Sequence, residues 1–521
     1  MRHSFPKLVV GGFVAALFSF AAGTASADDP RLERGTAITD PKALRDLDQD
    51  GFGVNRVLLG GTAQGTASNA RLFAAPSMVS VRQAIDREFD HYVARQQADY
   101  PGQTIGIGAS YDVQLFDRAL LDSPAVRFVL AGIVNRMDRA YVAPESCGEI
   151  RLIYRLARSD VPAEGQAELA ARPPMTLNIV LNARSLADRA PSCSEIARRW
   201  LATNLPDDHG LSAAALLDSR DGPLALVGKD QIDRIEINLQ IAHVPKSATQ
   251  DFRTDYLLKV FQYDPARTAF SEAPLENQID RDRLLADDHL KQEFRRWLLD
   301  PEHLAAFDRG TLLIPPGFLA NGAVASTPAG LATSDRQSTF GLVEGDSPVV
   351  SPVFTESDIV SALQQAADRG VALQNIRSPA GFERRLNDIT CAGCHQTRGI
   401  GGFHFPGVDW LRANPSNMTV VPASPHFFGE QLRRRDILRA QRDGTSVDYS
   451  RGFADRPQLR GSSELNGTEY SDGWGTRCAL PVSNKAAPDK SFAGWTCAAG
   501  LSCQPAGRSS PIGMCFVGTS H

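Results

Sequence analysis

Five residues in the second half of the chain have a spacing with a definite chemistry: Cys391-Ala392-Gly393-Cys394-His395. Two thiols two residues apart, followed at once by an imidazole, can add across the vinyl groups of one haem while the histidine ligates its iron. The short spacer puts both sulfurs and the ring on one side of the porphyrin. Ala392 and Gly393 are small enough to let the backbone approach the ring. The motif predicts one covalent c-type haem per chain, attached through Cys391 and Cys394, with His395 on the iron. Two other chemistries use the same residues. One is a plain Cys391–Cys394 disulfide beside an incidental histidine. The other is a zinc site built from both cysteines and two of His395, His404 and His426, although no second close Cys/His pair of the usual spacing accompanies them. A thioredoxin-like redox pair would want a βαβ setting, which the surrounding sequence lacks.

The opposite face of the iron takes a ligand or stays open. Met418 is the first candidate, because a thioether suits an electron carrier. His426, within Ser424-Pro425-His426-Phe427, and His404, within Phe403-His404-Phe405, are the alternatives, with Met514 or an open position after them. A filled site implies electron transfer; an open one would admit peroxide or another small molecule.

Haem attachment of this kind happens outside the bacterial cytoplasm, and the amino terminus reads as an export signal. Arg2 and Lys7 precede an apolar stretch from Leu8 to Phe20, and Ala25-Ser26-Ala27 supplies a small-residue cleavage pattern. The expected mature chain starts at Asp28, in the periplasm or outside the cell. A retained amino-terminal anchor is the alternative, but no later segment offers the roughly 18 apolar residues of a membrane span. In an oxidising compartment the six cysteines outside the motif read as disulfide partners. Cys147 and Cys193 stand alone in the first half and are expected to pair. Cys478, Cys497, Cys503 and Cys515 crowd the tail, where three connectivities are open.

Leu386-Asn-Asp-Ile-Thr-Cys-Ala-Gly-Cys-His395 with Gly402-Phe-His-Phe405 resembles a group of exported bacterial proteins with a single haem-type motif. Ala131-Gly-Ile-Val-Asn-Arg-Met-Asp138 and Cys147-Gly148-Glu149 are similar to the same group. Around the motif alone the chain also resembles cytochrome c, where a short helix leads into the cysteines. Both resemblances imply a covalent haem.

Other residues carry weaker signals. Asp46-Leu-Asp-Gln-Asp-Gly51 imitates the start of a calcium loop, but position twelve is Val57 instead of an acid, so a polar turn is expected. Arg433-Arg434-Arg435 with Arg439 and Arg442 forms a basic helix face. It is expected to be solvated, with docking of an acidic redox partner or pairing with haem propionates as the functional alternatives. No G-x-S-x-G elbow, H-E-x-x-H pair or phosphate loop is present.

The elements that must position these residues read as α+β. Met78 to Gln96 has Val81, Ile85, Phe89 and Tyr92 at helical spacing. Runs at 128–134, 151–156, 175–181, 235–241 and 255–263 are short and β-branched. The strict alternation over 235–241 predicts strands of a half-exposed antiparallel or mixed sheet. Helices are expected over 194–202, 280–299, 359–367, 379–386 and 429–442, with a long loop over 321–334 and few periodic runs over 28–75. This gives a signal at 1–27, an α+β domain at 28–270 and a helical connector at 271–375. A haem-bearing segment at 376–455 and a cysteine-rich tail at 456–521, with bridges replacing a core, complete it.

The chain has 521 residues, 42% hydrophobic, with a formal net charge of −5. Losing Arg2 and Lys7 with the leader makes it two units more negative. That content builds real cores, and the balance leaves no basic footprint for nucleic acid. The expected function is electron transfer by an exported c-type haem protein with a redox partner. The alternatives are a haem peroxidase or oxygenase with an open site, and a non-redox binding or surface protein with Cys391 and Cys394 bridged.

Overall fold

Segments of alternating apolar residues form the centre of one ten-stranded sheet. The computed structural model describes residues 35–60, 67–158, 174–187, 190–202, 211–244, 253–328, 341–344, 352–396, 431–451, 477–479, 501–505 and 512–517. The leader expected at 1–27 lies outside them. The sheet comprises β1 (Ala37–Ile38), β2 (Ile105–Gly106), β3 (Val113–Leu115), β4 (Val126–Arg136), β5 (Glu149–Arg158), β6 (Met175–Asn182), β7 (Ile232–Val244), β8 (Arg253–Asp264), β9 (Ala269–Ala273) and β10 (Gly322–Pro328). β1, β4, β5, β6, β7 and β8 follow one another across it. β3 and β2 extend the far end of β7, and β9 and β10 share the outer edge of β8. Every pairing is antiparallel except β2 with β3.

Period two sends successive side chains to opposite faces. On one face Ile150, Leu152, Tyr154, Leu177, Ile179, Ile235 and Leu239 pack beneath α1 (Pro41–Gln49), α2 (Val79–Asp99) and α3 (Cys193–Ala202). On the other, Tyr256, Leu258 and Val260 meet a second helical layer. That layer is α4 (Arg281–Ala286), α5 (Asp288–Leu298), α6 (Pro301–Asp308), α7 (Glu356–Asp368), α8 (Pro379–Ile389) and α9 (Cys391–Gln396). The last described helix, α10 (Gln431–Asp443), packs on α3, with Leu438 in the first core and Ser194 Oγ donating to Arg442 O at 2.6 Å. The chain is α+β.

Four expectations change. The sheet is not half-exposed: Glu149, Arg151, Arg155, Thr176, Asn178 and Asn238, all on its polar face, are buried. Alternation reports two unlike faces, not which of them meets water. The stretch 321–334 is not all loop, because Gly322–Pro328 pairs with β8. An open strand edge offers backbone hydrogen bonds that override the weak strand preference of small residues. The expected helix over 280–299 breaks at Asp287, whose carboxylate accepts from His289 and Leu290 N–H at 2.9 and 3.0 Å and starts a new helix. Within 28–75, Asp40 caps Ala43 N–H at 2.7 Å and Pro41 occupies the first turn of α1, which buries Leu44 and Leu47.

The tail strands β11 (Arg477–Ala479), β12 (Leu501–Pro505) and β13 (Ile512–Val517) form a separate antiparallel sheet with β13 in the middle. Its register sets Cys503 opposite Cys515 and Cys478 opposite Gly513; Cys497 lies outside the described residues. Cys147 and Cys193 are bridged as expected, with Cα atoms 5.4 Å apart. The bridge ties the turn before β5 to the start of α3 across a sequence separation of 46. Replacing both cysteines by serine should lower stability by about 4 kcal/mol through the freed loop entropy. Denaturant unfolding of the full chain checks this, and an unchanged midpoint would contradict it.

Candidate functional site

The buried polar face is organised around one carboxylate. Cys147 and Gly148 both have positive φ, 60° and 91°, and turn the chain sharply into β5. A Cβ at Gly148 would lie 2.7 Å from Arg136 O, so only glycine fits there. Glu149 follows and is held by three guanidiniums: Arg151 at 2.7 Å, Arg234 at 2.9 Å and Arg139 at 3.1 Å. Arg151 and Arg234 also share Glu236, at 2.6 and 2.8 Å, and Arg139 pairs with Glu276. A neighbouring pair, Arg136 and Asp138 at 2.8 Å, takes in Arg433 from α10 at 3.0 Å.

Burial alone would raise the Glu149 carboxyl, but Arg139, Arg151 and Arg234 outweigh it and hold it well below the usual range. Asp138 is likewise pushed up by burial and brought down further by Arg136, Arg434 and Arg433. Glu276 is lowered in the same way, with Arg139 opposing the effect of burial.

The motif sits at the edge of this charged floor. α8 ends at Ile389 and, after Thr390, α9 begins at Cys391. Thr390 Oγ1 accepts from Gly393 N–H at 3.1 Å, and Gln278 Oε1 accepts from Ala392 N–H at 2.8 Å. A Cβ on Gly393 would come within 2.4 Å of Thr390 Oγ1 and 2.7 Å of the Asn387 backbone, so α9 can lie this close to α8 only with glycine there. Behind α8, Arg385 is 0% exposed; it pairs with Asp388 at 3.0 Å and donates to Asp308 O and Arg451 O at 2.7 and 2.8 Å. Asp308 in turn accepts from the N–H groups of Gln374, Asn375 and Ile376 at 2.9, 2.7 and 2.6 Å. The helix that delivers the motif is thereby fastened to α6 and to the segment that leads into α8.

Between floor and motif lies a cavity of about 370 Å³, within the range of small-molecule and cofactor sites. Its wall includes Arg136, Arg151, Arg234 and Glu236 from the sheet, Arg433 and Arg434 from α10, and Cys391. Tyr141 and Tyr449 also line it, their rings 5.8 Å apart. Cys391 is a free thiol. Its removal from water, reinforced by the carboxylates of Glu236 and Glu276, pushes it up to about 12, so at neutral pH it keeps its proton.

Of the residues singled out by the motif, the structure brings Cys391 to the cavity wall. Cys394 and His395 share the α9 helix with it, their side chains outside the described set. Met418, His426 and His404 lie outside the described residues, and Met514 is on β13. The basic face of α10 is solvated only in part: Arg433 and Arg434 are buried, because Asp138 on the sheet draws them inward. Arg439 and Arg442 are exposed and pair with Asp436 and Asp443. Asp48 of the calcium-like sequence is buried, accepting from Leu130 N–H at 2.9 Å and pairing with Arg127 at 3.1 Å, so it fastens α1 to β4. The charged floor itself was the part not foreseen. Its signal was present as Glu149-x-Arg151-x-x-x-Arg155 and Arg234-x-Glu236-x-Asn238, charges at period two within strands.

No known protein family, curated protein or solved structure matches the chain.

Glu149→Gln should cost about 3–5 kcal/mol, since it leaves three buried guanidiniums without their common partner. The depressed carboxyls bind fewer protons folded than unfolded. Their stabilising effect is therefore complete above the unfolded carboxyl range and lost as pH falls through the folded values. The melting temperature should stay nearly level from pH 7 to about 5 and fall steeply below about pH 4. A melting series against pH checks this, and a flat profile down to pH 3 would refute the ion web.

Proposed function

We propose that this chain is an exported c-type haem protein that passes electrons, with the haem attached through Cys391 and Cys394 and its iron ligated by His395. Met418 is the first candidate for the sixth position, with His426 and His404 behind it. The observation that carries the reading is the placement of Cys391. A free thiol heads the α9 helix and opens onto a cofactor-sized cavity whose far wall is lined with arginines. The residues there fit the group: Gly393 allows close approach, the apolar side of Ile389 and Leu258 supplies contact, and guanidiniums can receive propionates. Bound there, haem would supply one-electron chemistry at its iron.

The rest follows from this chain's own residues. A thiol that remains protonated at neutral pH is a poor nucleophile once packed. The arginine wall lies in a poorly solvated site, where positive charge favours the electron-richer state of a bound redox centre. Export through the leader at 1–27 would place the protein in the periplasm or outside the cell, where a redox partner protein completes the path. The alternative reading is a haem enzyme with an open coordination position at the same site.

Expression in a host with cytochrome c maturation machinery should give a pyridine haemochrome spectrum and a haem stain that survives denaturing electrophoresis. Both should disappear with Cys394→Ala. Colourless, folded protein would sink the proposal. A ferrous spectrum unchanged by carbon monoxide supports the carrier, and a carbon-monoxide-shifted one the enzyme. In haem-free protein, iodoacetamide at pH 8 should label Cys391 more slowly than a free thiol, because partial burial and the nearby carboxylates of Glu236 and Glu276 disfavour its thiolate; labelling as fast as a free thiol, located by peptide mapping, would contradict this.

A further inference from the structure

We infer that Cys503 and Cys515 are joined by a disulfide that closes β12 onto β13, and that this bridge fixes the covalent pairing of the tail. The inference rests on backbone register and not on the haem. The four tail cysteines allow three connectivities, in which Cys515 is joined to Cys503, to Cys478 or to Cys497. β13 lies between β11 and β12 and is antiparallel to both. Cys503 holds the register position directly opposite Cys515. Directly opposed residues of an antiparallel pair have Cα atoms about 4.5 or 5.5 Å apart, and a disulfide spans either distance.

The same register removes the other two connectivities. Cys478 is opposite Gly513, two residues along β13 from Cys515, so Cys478, Cys503 and Cys515 belong to one face. Sharing a face is not enough. Diagonal neighbours of this kind are roughly 7–8 Å apart, past the point where two cysteines join without moving the backbone. That removes Cys478–Cys515. Cys478 and Cys503 are two strand spacings apart across the sheet and two residues apart along it, roughly 11 Å in a flat sheet. Curling shortens the first distance but not the second. That removes Cys478–Cys503, and with it the connectivity that joins Cys497 to Cys515. Cys503–Cys515 remains, and the two cysteines left over are Cys478 and Cys497. The sheet has need of a staple: its strands are 3, 5 and 6 residues long, too little to build a core. Closing the bridge breaks two S–H bonds and makes one S–S bond. The two electrons and two protons pass to the disulfide of a thiol–disulfide oxidoreductase, which leaves as a dithiol. The Cys147–Cys193 bridge draws on an oxidant of the same class.

The test is non-reducing peptide mapping by mass spectrometry of the full chain, exported and purified without reductant. Free thiols are first blocked with N-ethylmaleimide in denaturant at mildly acidic pH, which suppresses exchange. Trypsin cuts after Arg477, Lys485, Lys490 and Arg508, and chymotrypsin after Leu501, so each tail cysteine falls in its own peptide. The Cys503 peptide should be recovered linked to the Cys515 peptide, with neither cysteine blocked. Either one linked to the Cys478 or Cys497 peptide would overturn the inference. So would maleimide on all four, the result expected of free thiols or of a metal site. Cys503→Ser should leave Cys515 as the newly blocked tail cysteine, and Cys515→Ser should leave Cys503. Cys478 or Cys497 newly blocked in either variant would overturn the inference as well. Cys391 and Cys394 fall in a separate tryptic peptide ending at Arg398, so the outcome for the haem leaves this result intact.

Discussion

The pairing of Glu149 with Arg139, Arg151 and Arg234 is the contact on which the second half of the molecule depends. Without it the polar face of the sheet would hold three desolvated guanidiniums, a state far less favourable than leaving the face in water. With it, that face can be covered. The cover is fastened by the same chemistry: Glu276 reaches Arg139 from the segment entering the helical layer, and Arg433 reaches Asp138 from α10. The charged floor is thus a docking surface within the chain: strand β10 and Glu276 join the expected connector at 271–375 to the sheet domain, and Arg433 joins the expected haem-bearing segment to it.

That mode of closure explains the character of the cavity. An apolar interface would interdigitate and leave little void. Guanidiniums and carboxylates need directed, planar contacts, so side chains that satisfy one another across a floor do not fill the volume above it. The thiol of Cys391 is placed at the rim of such a void by Thr390, Gln278 and Gly393, none of which is charged.

The elements were largely legible and their assembly was not. The five central strands, α2 and the helix leading into the motif lie where period two and period 3.6 put them, and the lone pair Cys147–Cys193 is bridged. These features are encoded locally. Thr355, capping Asp358 and receiving its carboxylate in return, is a local signal of the same kind. β10 was missed because Gly322, Ala323 and Ala325 have little strand preference and gain it only from the edge of β8. The buried state of Arg433 and Arg434 was missed because helix periodicity cannot name a carboxylate nearly three hundred residues away. The motif was plain in sequence, but the cavity beside it is lined by segments scattered from Arg136 to Arg451 and has no local signature.

The floor also answers a question that hydrophobic burial leaves open, namely what fixes strand register when both faces of a sheet are covered. A slip of one residue exchanges the faces of a strand. On β5 it would send Glu149 and Arg151 into the apolar core and bring Ile150 and Leu152 onto the charged floor. On β7 it would do the same with Arg234 and Glu236. Apolar packing alone would tolerate a slip on a strand apolar on both sides, as at Val260 and Phe261 of β8. Here every slip would leave charges unpaired on neighbouring strands at once. The shifts that do occur, at Leu130/Gly132, Val180/Leu181 and Gln240/Ala242, lie where the ladder needs one extra residue to keep those faces in phase. Charges that hold the cavity open therefore also specify the sheet that carries it.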